Sequence, residues 1–148
     1  GFKLHLVINH QGELIDFDLT PGNVDDRTPL AGFADSLFGK LFGDKGYLSR
    51  KLADALREQG IDLVTSIRRN MQPQILPLED KLWLRKRAVI ESINNLLKNQ
   101  AQVEHSRHRS VDNFFVHLIA GLAAYCHRPE KPVVDLPVEQ LNRLAAIA

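Results

Sequence analysis

Four side chains in this sequence have types and spacing that could act on a phosphate: Arg87, Glu91 and Lys98 within LRKRAVIESINNLLK, and Asp44 within KLFGDKGY. At 3.6 residues per turn, Leu84, Arg87, Glu91 and Lys98 return to one helical face, which sets one carboxylate in a stripe of bases. A carboxylate offers hard oxygens to a divalent metal, and the neighbouring bases can meet the phosphate that the metal polarises. Val89, Ile93, Leu96 and Leu97 repeat on the other side, so the sequence predicts one amphipathic helix from Leu84 to Lys98. The plainer alternative is an exposed helix whose charges pair at i, i+4. Asp44 follows a short apolar run, and the carboxyl end of a buried strand in an α/β sheet is where ligand crevices form. Gly43 and Gly46 would let the backbone turn tightly beside it, although DKG alone also reads as an ordinary turn.

Taken together, these two stretches resemble the catalytic domain of bacterial insertion-sequence transposases of the Asp-Asp-Glu (DDE) class, which have a ribonuclease H-like fold. The family's second aspartate stands in a Gly-Asp-Lys-Gly-Tyr context after a strand, matching Asp44. Its glutamate lies in a helix patterned Tyr, two residues, Arg, three residues, Glu, six residues, Lys; Arg87, Glu91 and Lys98 match, and Leu84 stands where the tyrosine usually is. The resemblance runs from about Gly1 to the prolines after His127. It implies an α/β fold with a ribonuclease H-like mixed sheet flanked by helices, residues 1–128 being a partial catalytic domain and 129–148 a tail.

The resemblance also implies metal-dependent cleavage and strand transfer on transposon ends and target DNA, carried out by a homo-oligomer. Asp44 and Glu91 would hold metal in a complete site of two Mg²⁺ or Mn²⁺ ions. Arg87 and Lys98 would fix the phosphate, with Lys45, Arg68, Arg69, Arg107 and Arg109 as further DNA contacts. The family's first catalytic aspartate is expected on a strand ahead of Gly1, because no residue from Gly1 onward matches it. This chain by itself is therefore expected to hold metal weakly and to cut DNA poorly. Two other classes stay open: a nuclease of the same fold, such as a junction resolvase, that finds its third carboxylate at Asp16 or Asp18, and an inactive remnant that binds DNA.

Composition agrees with this reading without establishing it. The 148 residues suit one domain with a sizeable core. Basic and acidic groups nearly balance at 19 and 18, but residues 1–67 hold 7 basic and 10 acidic groups whereas residues 68–109 hold 9 and 4. The middle of the chain is the expected surface for a polyanion. The single cysteine, Cys126, excludes an intrachain disulfide and fits a reducing compartment. No apolar run reaches a membrane span and no signal-peptide pattern opens the chain, so a cytoplasmic protein with no membrane partner is expected.

The elements that must position these groups follow from local pattern. Alternation over Leu4–Ile8 and Leu14–Leu19, with Gln11-Gly12 between, predicts a hairpin whose Lys3–Asn9 edge is open to another strand, and Asp16 and Asp18 share the face opposite the apolar one. A helix is expected over Asp25–Leu37, with Thr28 as a cap and Pro29 first in the helix. A strand then leads to Asp44. Ser49 caps a helix Arg50–Gln59 that stops at Gly60, and Ile61–Ile67 is a parallel strand. Trp83 could stack on a base but is more commonly a buried anchor. The stretch VEHSRHRS suits phosphate contact better than a zinc site of His105, His108, Cys126 and His127, whose spacing matches no common ligand pattern. Val111–Tyr125 is expected to be a buried helix over the sheet, and Val138–Ile147 a last short helix.

Overall fold

The fold was analysed in a computed structural model that describes residues 1–66, 75–103, 107–134 and 146–147. Strands β1 (Phe2–Ile8) and β2 (Leu14–Pro21) pair antiparallel from Phe2↔Pro21 to Ile8↔Leu14. The turn falls where the sequence places it. The Asn9 carboxamide oxygen accepts the Gln11 and Glu13 N–H groups at 3.0 and 2.9 Å, and Gly12 takes a φ of 74° that a side chain would oppose. Leu4, Leu6, Ile8, Leu14 and Leu19 face one apolar cluster, whereas Val7 faces a second on the other side of the sheet. Asp16 shares the second face, where it accepts a 2.6 Å hydrogen bond from Ser36 Oγ rather than meeting only solvent.

The helix expected from Asp25 is instead a turn followed by a 3₁₀ helix, Pro29–Ser36. The Asp25 carboxylate takes the Arg27 backbone N–H at 2.9 Å and also the guanidinium, a local bond that competes with helical pairing. Thr28 makes no side-chain cap. Leu30 and Phe33, three apart as a 3₁₀ turn requires, fill the second cluster with Leu41, Leu56 and Ile61.

Strand β3 (Gly39–Gly43), helix α1 (Arg50–Glu58) and strand β4 (Ile61–Thr65) form a parallel crossover, in register from Gly39↔Ile61 to Gly43↔Thr65. Ser49 Oγ caps α1 by accepting the Leu52 N–H at 3.3 Å, and Gly60 ends the turn at φ 83°. The strand stops at Thr65, two residues before the expected end. Ile67, Arg68 and Arg69 lie outside the described residues.

The single helix expected around Glu91 is two: α2 (Leu78–Lys86) and α3 (Val89–Asn99). Between them the Ile90 and Glu91 N–H groups reach back only three residues, to the Arg87 and Ala88 carbonyls, each at 3.0 Å. The core explains the break. Trp83 in α2 and Val89, Ile93 and Leu97 in α3 are all buried in one cluster, yet six positions of a straight α-helix would turn Val89 about 120° away from Trp83. The tighter turn at Arg87–Ala88 takes up part of that difference. Trp83 rests on Phe42 of β3 with ring centroids 6.0 Å apart, so it is an anchor and not a platform for a base.

Helix α4 (Val111–Cys126) is not the buried helix its composition suggests. Only Leu118, Gly121, Leu122 and Tyr125 are covered, while Val116 and Ile119 are 68% and 50% exposed. Its carboxyl end is fixed by the Tyr125 hydroxyl, which donates to the Gly12 carbonyl. The expected last helix is also revised: Ala146–Ile147, the described part of Val138–Ile147, form strand β5, antiparallel to β1 at Ile8 and parallel to β3 at Leu41 and Phe42. The result is a five-stranded mixed sheet in the order β2-β1-β5-β3-β4. The β1 edge expected to be open therefore meets β5 at Ile8, and the outer strands are β2 and β4. Among the described residues, no helix is long and apolar enough to cross a membrane.

Candidate active site

Asp44 is the first residue beyond β3, whose Leu41, Phe42 and Gly43 are buried. Its Oδ1 accepts the Lys45 N–H at 2.7 Å and its carbonyl accepts the Tyr47 N–H at 2.9 Å, closing a 3₁₀ turn over Lys45–Tyr47. The turn reading of DKG is thus borne out, and it leaves the carboxylate about half exposed at the carboxyl end of the strand. Gly43 is closely packed there: a Cβ would lie 3.3 Å from Tyr47 Cδ2, close enough that the ring would have to shift slightly. Gly46 is not constrained in this way: a Cβ on it would meet open space.

The link between α2 and α3 brings the second motif to the first. Arg87 Nη2 lies 3.7 Å from Asp44 Oδ1, with three quarters of the Arg87 side chain covered. Glu91 is in the first turn of α3 and exposed, where the helix dipole favours a negative charge. Lys98 is in the last turn, two turns further along the same face, and Asn94 lies between them.

Asn94 and Lys98 help line a cleft of about 670 Å³, together with Phe2, Lys3, His5 and Tyr47. Its polar groups are held by neighbours. His5 is buried and shares a 2.8 Å hydrogen bond with Thr20 Oγ1; burial lowers its pKa, against the opposing pull of Asp26 and Asp18. The Tyr47 phenol is pushed up by burial and further by the Asp26 and Asp44 carboxylates, with Arg87 opposing, so it remains a neutral donor. Asp26 lines this cleft and pairs with Lys3 Nζ at 2.9 Å. Only the fold reveals it, because nothing local links residue 26 to residue 44.

Of the other candidate contacts, Lys45 is exposed beside Asp44. Arg107 and Arg109 are exposed ahead of α4, and Val103 before them and Phe114 in the first turn of α4 line the cleft. Arg68 and Arg69 fall outside the described residues, as does His105 of the zinc set. Among the described residues, no three His, Cys, Asp or Glu side chains come together. Asp16 and Asp18 do not join Asp44: β2 is three strand intervals from β3, roughly 14 Å across the sheet.

The donor set at Asp44 and Glu91 suits a hard divalent cation, and Asp44 Oδ2 accepts no hydrogen bond among the described residues. Asp44 stands at the carboxyl end of a parallel strand with Arg87 beside it, the place where ligand crevices form in α/β sheets. Residues 1–111 match the family described as the transposase DDE domain, and the chain belongs to that family. No curated protein and no solved structure matches it.

Proposed function

We propose that this chain supplies two of the three catalytic acids of an insertion-sequence transposase that cleaves DNA and transfers strands with divalent metal. The observation that carries the reading is the approach of Arg87 to Asp44. It brings the Gly-Asp-Lys-Gly-Tyr turn to the helix start that holds Glu91, two motifs far apart in sequence. A cation of the Mg²⁺ or Mn²⁺ type would activate the attacking hydroxyl and stabilise the leaving oxygen. Asp44 and Glu91 are the residues to hold it. Arg87 and Lys98 would fix phosphate oxygens and offset charge in the transition state, and Lys45, Arg107 and Arg109 would contact the DNA backbone beyond.

The antiparallel β1–β2 ribbon beside a parallel β3–β4 pair is compatible with a ribonuclease H-like domain. The third acid would arrive on a strand beside β1, whose described pairing with β5 is at Ile8. The protein would work as a homo-oligomer on transposon ends and target DNA.

The test is Mn²⁺-dependent nicking of supercoiled DNA by this chain, by a version extended upstream of Gly1, and by the extended version carrying Glu91→Gln. Only the unsubstituted extended version should nick. Nicking by this chain, lost on Glu91→Gln, would place the third ligand within it; nicking by the extended version that survives Glu91→Gln would remove Glu91 from the site.

A further inference from the structure

We infer that Arg87 is an internal counter-ion for Asp44, a positioning residue that holds the carboxylate until a divalent cation takes its place. The inference rests on the metal reading of the site and adds a role for a residue that the reading assigns to phosphate. Three observations carry it. The guanidinium approaches Asp44 Oδ1, the oxygen already engaged by the Lys45 N–H, and so leaves Oδ2 turned to neither partner. Arg87 is three quarters covered while Asp44 is half exposed, so the arginine is the fixed member of the pair and the acid is open to solvent ions. The Arg87 carbonyl also accepts the Ile90 N–H at 3.0 Å, which ties the backbone of this residue to the turn that carries Glu91.

A guanidinium and a divalent cation compete for the same negative charge. At 3.7 Å in a half-exposed setting the ion pair is weak, of the order measured for surface pairs, so a cation can displace it without unfolding anything. Released from Asp44, the same guanidinium has its donors free for phosphate, and it need move only a side chain to reach it. Before metal arrives, the pair keeps the Asp44 carboxylate from being left without a counter-charge. Lys45, the neighbouring base, is exposed and forms no side-chain ion pair with Asp44, so Arg87 is the cation that faces the carboxylate.

The test is Mn²⁺ binding to the 148-residue chain, read by electron paramagnetic resonance of the free ion at low ionic strength. Arg87→Ala should bind Mn²⁺ about two- to five-fold more tightly, the range expected for removing a surface ion pair. Asp44→Asn should weaken binding, and adding Arg87→Ala to it should give no further gain, because the effect passes through Asp44. A gain of equal size in the Asp44→Asn background would reduce Arg87 to a general positive charge and overturn the inference. Asp44-dependent binding that ignores Arg87 would remove the counter-ion alone. Binding that ignores Asp44 would remove the metal reading and the counter-ion together. Circular dichroism of each variant should match the parent, as an ion pair of this exposure does not hold the fold.

Discussion

His5 shows how a single residue ties the cleft to pH. The imidazole is buried against Thr20, and burial holds its folded pKa below the ordinary 6.5. The unfolded chain therefore takes up the proton first. Stability contributed by the neutral ring is complete above about pH 6.5 and falls as pH descends through the folded value. Melting temperature should decline on acidification from pH 7 before the carboxylates begin to titrate, and His5→Gln, which can keep a bond to Thr20, should flatten that early decline. An unchanged slope in His5→Gln would assign the acid sensitivity elsewhere. Gly12 marks the limit of reading residues one at a time. Its turn is plain in the sequence, yet a Cβ there would also strike the Pro132 carbonyl oxygen at 2.1 Å, a contact across 120 positions that no local pattern contains.

Elements were legible where their signals are local. The hairpin, the Ser49 cap, the Gly60 stop and the parallel β3–β4 pair all follow from turn chemistry and period. The break at Arg87–Ala88 was not legible, because a 3.6-residue pattern runs through it and only the position of the core shows that Trp83 and Val89 must both turn inward. Asp44 and Arg87 were picked out by motif, and their approach to 3.7 Å is a fact of the fold. Helix α4 failed for the opposite reason: apolar residues such as Val116, Leu118, Ile119 and Leu122 fall on several of its sides, so its composition does not say which side is covered. The structure says it is the stripe of Leu118, Leu122 and Tyr125. Leu118→Ala should then cost about 2–5 kcal/mol in denaturant unfolding, the range for emptying a buried leucine site. Ile119→Ala, one position along, should cost well under half as much. Equal losses would mean that something covers both faces in solution.

For the whole molecule, the sheet is a ribbon and a parallel pair joined in the middle by Ala146 and Ile147. Each face of the sheet buries residues of both halves in one cluster, Leu6, Ile8, Phe42 and Val64 on one side and Val7, Leu41 and Ile61 on the other, so the halves are tied by packing as well as by the central strand. Deleting residues 146–148 should leave the helical signal nearly intact while the backbone amides around Ile8, Leu41 and Phe42 exchange with solvent roughly tenfold faster or more. Unchanged exchange at those amides would mean that the junction contributes nothing to the sheet. The same junction sets an order of assembly during synthesis. Ile147 pairs with Ile8, so nearly the whole chain must leave the ribosome before the centre of the sheet can close. The ribbon and the parallel pair can each form long before that, and until then the backbone of their inner edges stays open to any other strand within reach.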